Sequence, residues 1–382
     1  MDNIAGTNNA LKWAVNISVA LLVIAWLIPT VGLFVSSFRD RDQISASGWW
    51  VAPFSVELTY RTRGDAPPRQ EGDVWIIEGN LFETAEVAET FASGAAEITG
   101  FGVRAREPDI FPVGTEGETR DGGTLQVNAD GSYVYSSAEA PDRPPRVYFA
   151  AMTPPSFTLD NYRTILTSDG MDRAFINTLT VTIPSTVIPI LIAAFAAYAL
   201  AWMEFPGRGL LIAIVVGLLV VPLQLALVPL LNLHNQIGIG QSFVGIWLAH
   251  TGFGLPLAIY LLRNYMVGLP RDIIESAKVD GATDFQIFTK IILPLSFPAL
   301  ASFAIFQFLW TWNDLLVAKV FLPSDEASRV MTVTIADDLL GSRGGDWGIL
   351  ATAAFVSIGV PVLVFFTMQR YLVRGLLAGS VK

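Results

Sequence analysis

The chain has 382 residues, of which 52% are hydrophobic and only 15% are charged, whereas soluble globular domains carry about 25% charged residues. It contains no cysteine, which excludes disulfides and thiolate chemistry, and its two histidines are too few for a histidine metal cluster. The net charge of −10 disfavours a nucleic-acid partner, because such partners usually require a basic face.

The apolar residues are concentrated in runs of about 20 residues, which is long enough to cross about 30 Å of hydrocarbon. Hydropathy predicts six membrane-spanning helices, at residues 12–38, 178–203, 210–231, 243–263, 291–320 and 349–371. The first run is too long for the apolar core of a signal peptide, so we expect a retained span. The sequence therefore predicts an all-α polytopic membrane protein.

The long segment between the first two spans is polar and contains short strand-like runs such as residues 74–77. We expect residues 39–157 to form a β-rich insertion, with a short helix possible at 83–93. Two roles stay open for it, a decorative loop that packs on the membrane part and a surface that docks a partner.

Within this insertion, residues 124–135 predict a β-hairpin that resembles those of bacterial extracellular β-sandwich repeats. Asp130-Gly131 suits a two-residue type I′ turn, which requires positive φ at both central residues. This turn would pair Val127 with Val134 and Gln126 with Tyr135.

Lysines and arginines in the short loops predict the orientation of the spans. The loop between the third and fourth spans has none, whereas the next loop and the C-terminal tail are basic. The basic residues are Arg263, Arg271, Lys278 and Lys290 in the loop, and Arg370, Arg374 and Lys382 in the tail. We therefore expect both termini in the cytoplasm and residues from about 39 to 177 in the periplasm.

The cytoplasmic segment 269–294 predicts two short helices joined by a turn. Pro270 suits the start of the first helix, where a missing N–H costs nothing, and Gly281 suits its end. Thr283 and Gln286 have the spacing of a capping box for the second helix. A compact helix–turn–helix between two spans is well placed to grip another protein.

Three strings in this segment resemble the EAA loop of ATP-binding-cassette (ABC) importer permeases, with a serine in place of the usual second-position alanine. They are Glu275-Ser276-Ala277, Asp280-Gly281-Ala282 and Ile292-Leu293-Pro294. Other strings look like the second permease of the maltose type, including Phe205-Pro206-Gly207-Arg208 and Trp312-Asn313-Asp314. A large insertion that begins near Gly48-Trp49-Trp50 resembles the α-glucoside branch of that family.

This resemblance implies a type I ABC importer permease fold with six helices, in which 1–38 holds the first span and 158–382 the permease core. It implies a bacterial inner-membrane subunit for α-glucosides or related oligosaccharides. The implied partners are a homologous permease, two ATPase subunits and a periplasmic sugar-binding protein. The implied ATPase-coupling residues are Glu275, Ser276, Ala277, Asp280, Gly281 and Ala282.

The chain has no Gly-x-x-x-x-Gly-Lys-Ser/Thr phosphate loop, so a separate ATPase subunit would use the ATP and Mg²⁺. We expect no cofactor on this chain and no catalytic site. Glu275 and Asp280 are better explained by docking or helix capping than by acid catalysis.

Aromatic and polar residues in the fifth span are candidates for a sugar path, because aromatic faces stack on sugars and amides bond their hydroxyls. They are Phe306, Gln307, Trp310, Asn313 and Asp314. Interhelical hydrogen bonds and interfacial aromatics are the alternative explanation for these residues.

Two other classes of function remain to be weighed. An ion-coupled secondary transporter requires midplane ionisable groups and repeated halves, and here only Asp314 qualifies and the sequence shows no repeat. A membrane-anchored sugar receptor would not need six spans.

Overall fold

The computed structural model describes residues 9–92, 96–141, 143–167, 170–339 and 347–378, without the side chains of 338, 339 and 372–378. The chain forms two compact units. The first comprises Met1–Tyr162 with Asp346–Thr352, and the second comprises Arg163–Gly345 with Ala353–Lys382.

The first unit begins with the apolar helix α1 (Asn9–Ser37), which matches the span predicted at 12–38. The short helix α2 (Arg41–Ala46) and a 3₁₀ turn at Trp49–Val51 follow it. Almost none of the α1 surface is buried, because its large apolar side chains point away from the rest of the unit.

Among the described residues, nine strands then form two antiparallel sheets, within the segment 39–157 where β structure was expected. The four-stranded sheet has the order β1-β9-β4-β5, and the five-stranded sheet has the order β2-β3-β8-β7-β6. The strands are β1 (Val56–Arg63), β2 (Arg69–Glu71), β3 (Val74–Asn80), β4 (Glu97–Gly102), β5 (Phe111–Pro112), β6 (Glu116–Glu118), β7 (Thr124–Val127), β8 (Ser132–Ser137) and β9 (Arg146–Thr153).

Both sheets contribute to one apolar core, because alternate residues of each strand face inward. Leu125, Tyr133 and Ile77 come from the five-stranded sheet, and Phe101 and Phe149 come from the four-stranded one. All five are essentially inaccessible to solvent. The strand predicted at residues 74–77 is confirmed as the first half of β3.

The predicted hairpin exists, but its predicted register and turn type are wrong. Val127 pairs with Tyr133, and Gln126 pairs with Val134. The N–H of Gly131 donates to the carbonyl of Asn128, and the N–H of Asn128 donates to the carbonyl of Ser132. The loop therefore holds three residues and ends in a left-handed glycine, Gly131 at φ +84°.

Two physical effects select this longer loop. In the described part of the chain only glycines have positive φ, so Asp130 does not adopt the conformation that a type I′ turn requires. Instead its carboxylate accepts from the hydroxyl and the N–H of Ser132, which holds the pKa of Asp130 below its ordinary value. The observed register also buries Val127 with Tyr133, whereas the predicted one would pair it with the other face of β8.

The helix predicted at 83–93 is also wrong over its described residues. A 3₁₀ turn at Leu81–Glu83 is followed by successive turns up to residue 92, and Ser93 lies outside the described residues. The buried Thr84 hydroxyl bonds to Thr62 on β1 and to the carbonyl of Leu81, which ties the segment to the sheet. These side-chain bonds compete with a regular helix.

Helices account for most of the remaining chain. They are α3 (Asp160–Thr167), α4 (Met171–Trp202), α5 (Arg208–Leu218), α6 (Leu223–Gln236), α7 (Phe243–Val267), α8 (Arg271–Val279), α9 (Asp284–Ile287), α10 (Leu293–Leu295), α11 (Phe297–Trp312), α12 (Leu316–Phe321), α13 (Met331–Thr334) and α14 (Trp347–Ala378), with π-helical segments at Phe288–Ile292 and Ile335–Leu339.

Four helices among the described residues are long and apolar enough to cross a membrane, namely α1, α4, α7 and α14. Two bent pairs would raise the number to six if each pair is one span. The pair α5 and α6 bends by 109°, and the pair Asp284–Leu295 and Phe297–Trp312 bends by 68°.

The third predicted span is therefore not one straight helix. Pro222 precedes α6 and has an extended backbone, and a proline cannot continue the helical hydrogen-bond ladder. The fifth predicted span, 291–320, is wrong at its end, because α11 ends at Trp312. The Asp314 carboxylate accepts from the N–H groups of Val317 and Ala318, at 3.3 and 2.9 Å, and so starts the separate helix α12.

In the second unit α4 packs along α7, with α11 against both. Small residues line this contact, including Ala194, Ala197 and Ala201 on α4 and Ala258 on α7, all of them buried. Small side chains let helix backbones approach closely, which suits packing in an apolar surrounding.

Candidate functional site

The segment between α7 and α11 forms the predicted helix–turn–helix. Pro270 precedes α8, and Gly281 follows it at φ +79°. The N–H of Gly281 donates to the carbonyl of Lys278, and the N–H of Ala282 donates to the carbonyl of Ala277, each at 3.0 Å. This pair of bonds is a Schellman motif, so the predicted glycine stop is confirmed.

The predicted capping box is also confirmed. The Thr283 N–H donates to Gln286 Oε1 at 2.9 Å, and the Gln286 N–H donates to Thr283 Oγ1 at 3.3 Å. The Schellman motif ends at Ala282, and the capping box begins at the next residue, Thr283. The turn between α8 and α9 is therefore defined by hydrogen bonds on both sides.

One face of α8 is buried and the other is available to a partner. Ile274 and Ala277 pack with the C-terminal ends of α4 and α7. In contrast, the side chains of Val279 and Phe285 are 88% and 65% exposed on either side of the turn. Exposed apolar side chains held on a rigid turn are typical of a protein-binding surface.

A shallow groove of about 420 Å³ on α8 is acidic. It is lined by Asp272, Glu275, Ser276, Val279 and Asp280. Of the six predicted coupling residues, Glu275, Ser276, Asp280 and Gly281 are exposed, Ala282 is half-buried and Ala277 is buried. Ala277 therefore packs inward and stabilises the loop, whereas the other five predicted coupling residues are accessible to a partner.

The second helix of the loop is fixed to α4. The Phe288 ring lies 4.7 Å from that of Phe195 and 5.2 Å from that of Tyr198, measured between centroids. Phe288 begins the π-helical segment that leads to α10 and α11, and such segments often mark functional sites. Phe288 therefore joins the loop to α4 by ring packing and to α11 through the chain.

Two arginines hold the C-terminal end of α4, a role that the sequence analysis did not assign to either of them. Arg208 donates from Nε to the carbonyl of Leu200 at 3.0 Å and from Nη2 to that of Ala201 at 3.1 Å. Arg263 donates to the same Leu200 carbonyl at 3.4 Å. Cations suit a helix C-terminus. The available signal was the Gly207-Arg208 pair, at which α5 begins after the connection that follows α4.

The five predicted sugar-path residues do not share one surface. Phe306 is 51% exposed and Asn313 is exposed, whereas Gln307 is fully buried and donates to the carbonyl of Ser185 at 3.2 Å. Trp310 and Asp314 are half-buried. In this conformation the structure brings Trp310 and Asp314 near His250 and directs Gln307 inward.

Buried polar groups lie on the helices α4, α7 and α11, which pack together. Within the described residues, several of their buried atoms have no hydrogen-bond partner. They are Thr182 Oγ1, Ser185 Oγ, His250 Nδ1 and Nε2, Gln307 Oε1 and Thr311 Oγ1. Buried polar groups are nearly always paired, so these atoms are unusual for a helix bundle.

Comparison with known proteins decides the family. The model of the family described as "Binding-protein-dependent transport system inner membrane component" matches residues 171–377. The chain belongs to this family. It is therefore the permease component of an ABC importer and not an enzyme, since ATP hydrolysis belongs to a separate ATPase, as the sequence predicted.

Several curated permeases are similar to this one. The alpha-glucoside transport system permease protein AglG of Rhizobium meliloti is 58% identical over 381 residues, which cover 97% of each chain. The osmoprotective compounds uptake permease protein GgtD of Synechocystis sp. is 59% identical over 226 residues, or 59% of this chain and 76% of that one. The trehalose transport system permease protein SugB of Mycobacterium tuberculosis is 39% identical over 233 residues, covering 60% and 84%.

Proposed function

We propose that this permease imports α-glucosides or related oligosaccharides as one half of a heterodimer with a homologous permease. The observation that carries the substrate class is the similarity to AglG, which extends over 97% of both chains. Two ATPase subunits and a periplasmic sugar-binding protein would complete the importer. The six-span, type I arrangement belongs to the same proposal and is supported by four spanning helices and two bent pairs.

The loop at 269–294 would be the element that the ATPase grips. Val279 and Phe285 offer apolar contacts, and the carboxylates of Glu275 and Asp280 offer charge to a basic surface. ATP biases the permease only if the ATPase holds this loop differently in two states. The packing of Phe288 on α4 would carry that difference into the helices that enclose the sugar path.

The direct test is co-purification of the ATPase with this chain. Glu275→Lys reverses a charge in the groove, and we expect it to reduce ATPase recovery several-fold. Glu326→Lys makes the same change at an exposed residue outside the loop and should leave recovery unchanged. Equal recovery from both variants would argue against the acidic groove as the docking site.

The orientation can be tested with single cysteines, because the natural chain has none. We propose that the termini and the loop are cytoplasmic and that the β-sheet region is periplasmic. A membrane-impermeant maleimide should label Glu116→Cys in spheroplasts, and it should label Lys290→Cys, which is exposed in the loop but outside the acidic groove, only after lysis. The reverse pattern at either site would exclude the proposed orientation.

We further propose that the β-sheet region helps to capture the sugar-loaded binding protein. Val56 and Thr153 are paired across β1 and β9, so a short glycine linker can replace the residues between them. This deletion should preserve ATPase assembly but reduce uptake, with partial recovery at high binding-protein concentration. Unchanged uptake at every binding-protein concentration would exclude the docking role of the β-sheet region and leave only the decorative one.

Uptake assays also separate this account from its alternatives. Import that continues with a hydrolysis-deficient ATPase but follows an ion gradient would indicate a secondary transporter. Sugar binding without import would indicate a receptor. The observation against the first alternative is that the Asp314 carboxylate is engaged by the N-terminus of α12.

A further inference from the structure

After α1 ends at Ser37, the chain folds back along the same helix. Trp49 packs against Gly32 so closely that a Cβ on this glycine would lie 2.6 Å from the indole Nε1. Gly32 precedes the helix end by five residues, which is about 7.5 Å at 1.5 Å per residue. The Trp49 ring is therefore beside the last turns of the apolar helix and not beyond its end.

A buried arginine holds this fold-back in place. Arg39 is only 1% exposed, and its guanidinium donates to the carbonyls of Gln43, Ser47 and Gly48 and to the Ser47 hydroxyl. Gln43 in turn donates to the carbonyl of Pro154 at 2.9 Å. Burying a charged group is costly unless it is hydrogen-bonded, and these bonds offset that cost. Because they join Arg39 to the backbone of residues 43–48, they give the segment 39–51 a defined structure.

Four large apolar side chains project from this fixed junction. Trp50, Phe54, Phe157 and Leu159 are 68%, 64%, 58% and 66% exposed. Phe157 is tied to the same network by a single β-bridge with Arg39. Most of the surface of these side chains is open in the described part of the chain, although the nearby backbone is hydrogen-bonded. The N–H of Phe54 donates to the carbonyl of Val51, and the N–H of Thr158 donates to the carbonyl of Phe38.

We propose that these four residues form an interfacial collar, which inserts into the headgroup region of the bilayer at the end of α1. Two observations favour lipid as the occupant. The collar is continuous with α1, whose apolar side chains are exposed along its length. It also places Trp50 at the end of a span, where amphipathic tryptophan rings are enriched at the membrane–water interface, beside the apolar side chains of Phe54, Phe157 and Leu159. The collar would hold the start of the β-sheet region against the membrane surface.

The test uses bimane attached to single cysteines in the assembled importer in lipid nanodiscs. Trp50→Cys, Phe54→Cys and Phe157→Cys report on the collar, and Asp73→Cys in the exposed β2–β3 turn is the control. Nanodiscs whose lipids carry brominated acyl chains should quench the three collar labels at least twofold more than the control. Iodide in the buffer should quench the control more strongly.

Each other outcome contradicts the proposal. Quenching of the collar labels by iodide, with no response to bromine, would place the residues in water. Protection from both quenchers would mean that a protein surface, such as the second permease, covers them. Recovery of the intact complex by gel filtration shows that each labelled variant is folded, and three separate positions keep one misfolded variant from deciding the result.

Discussion

The Nε2 atom of His250 lies 3.7 Å from the Oδ2 atom of Asp314, which is too far for a hydrogen bond. His250 is fully buried, and neither of its ring nitrogens has a hydrogen-bond partner within the described residues. Asp314 is engaged by the backbone of α12, at the break that follows α11. A relative shift of about 1 Å would join the two side chains, so we expect the pair to form in another state of the transport cycle.

This relationship predicts opposite effects on stability and on transport. His250→Phe removes two unpaired buried nitrogens, each of which costs about 1–3 kcal/mol, while keeping a ring against Trp310. We expect a thermal midpoint equal to or above that of the natural protein, and uptake reduced at least fivefold. His234→Phe also removes an unpaired buried nitrogen and should leave uptake unchanged. A large drop in the midpoint of His250→Phe would mean that the histidine is paired after all.

The tight contact between α7 and α11 predicts different outcomes for two glycines on one helix. A Cβ at Gly254 would lie 2.6 Å from Gln307 Oε1, whereas a Cβ at Gly252 would meet nothing within 4 Å. Gly252→Ala should be neutral or stabilising, since alanine is favoured over glycine in a helix by about 1 kcal/mol. Gly254→Ala should lower the thermal midpoint of the purified complex. Equal midpoints for the two variants would show that Gln307 moves aside freely.

The three-residue hairpin loop predicts a similar contrast in the β-sheet region. Gly131 and Gly122 have φ of +84° and +80°, so alanine is strained at both positions. Only at Gly131 would a Cβ also meet other atoms, with Asn80 Oδ1 and the Phe82 ring both at 2.6 Å. Gly131→Ala should therefore make the region more susceptible to limited proteolysis than Gly122→Ala does. Similar cleavage of both variants would contradict the packing described for this loop.

Local signals in the sequence were sufficient to predict the helix–turn–helix at 269–294. Pro270, Gly281 and the Thr283–Gln286 pair act through hydrogen bonds within a few residues, so the two helices and their turn could be predicted. The hairpin register could not, because the Asp130-Gly131 string suits loops of two or three residues. The burial of Tyr133 and the hydrogen bonds that Ser132 donates to Asp130 select the three-residue loop.

The surroundings of the sugar-path candidates in the fifth predicted span were harder to predict, for a different reason. Hydropathy averages over a long window, so the break at Asn313 and Asp314 was absorbed into a single span. Whether Gln307 or Phe306 faces inward depends on how α4, α7 and α11 pack, which single-sequence patterns do not reveal. The unpaired His250 became visible only from the distances in the structure.

Exposure along α11 predicts which aromatic residue contacts sugar. Phe306 and Phe297 are 51% and 49% exposed on the same helix, but only Phe306 lies in the turn next to Gln307 and Trp310. Phe306→Ala should raise the sugar concentration needed for half-maximal uptake several-fold, through loss of stacking. Phe297→Ala removes the same kind of ring close to the loop at 269–294 and should leave this concentration unchanged. A larger increase of this concentration in Phe297→Ala than in Phe306→Ala would mean that the sugar path does not include Phe306.

The measurement that tests the account most directly is the ratio of α-glucoside imported to ATP hydrolysed in proteoliposomes with the binding protein. Gly281→Val and Gly238→Val each place a branched side chain at positive φ, +79° and +81°, in otherwise open space. We predict that Gly281→Val continues to hydrolyse ATP but imports at least tenfold less sugar for each ATP. Gly238→Val, in the turn between α6 and α7, should keep the natural ratio. A natural ratio in the Gly281→Val importer would contradict the proposal that this loop couples ATP hydrolysis to sugar import.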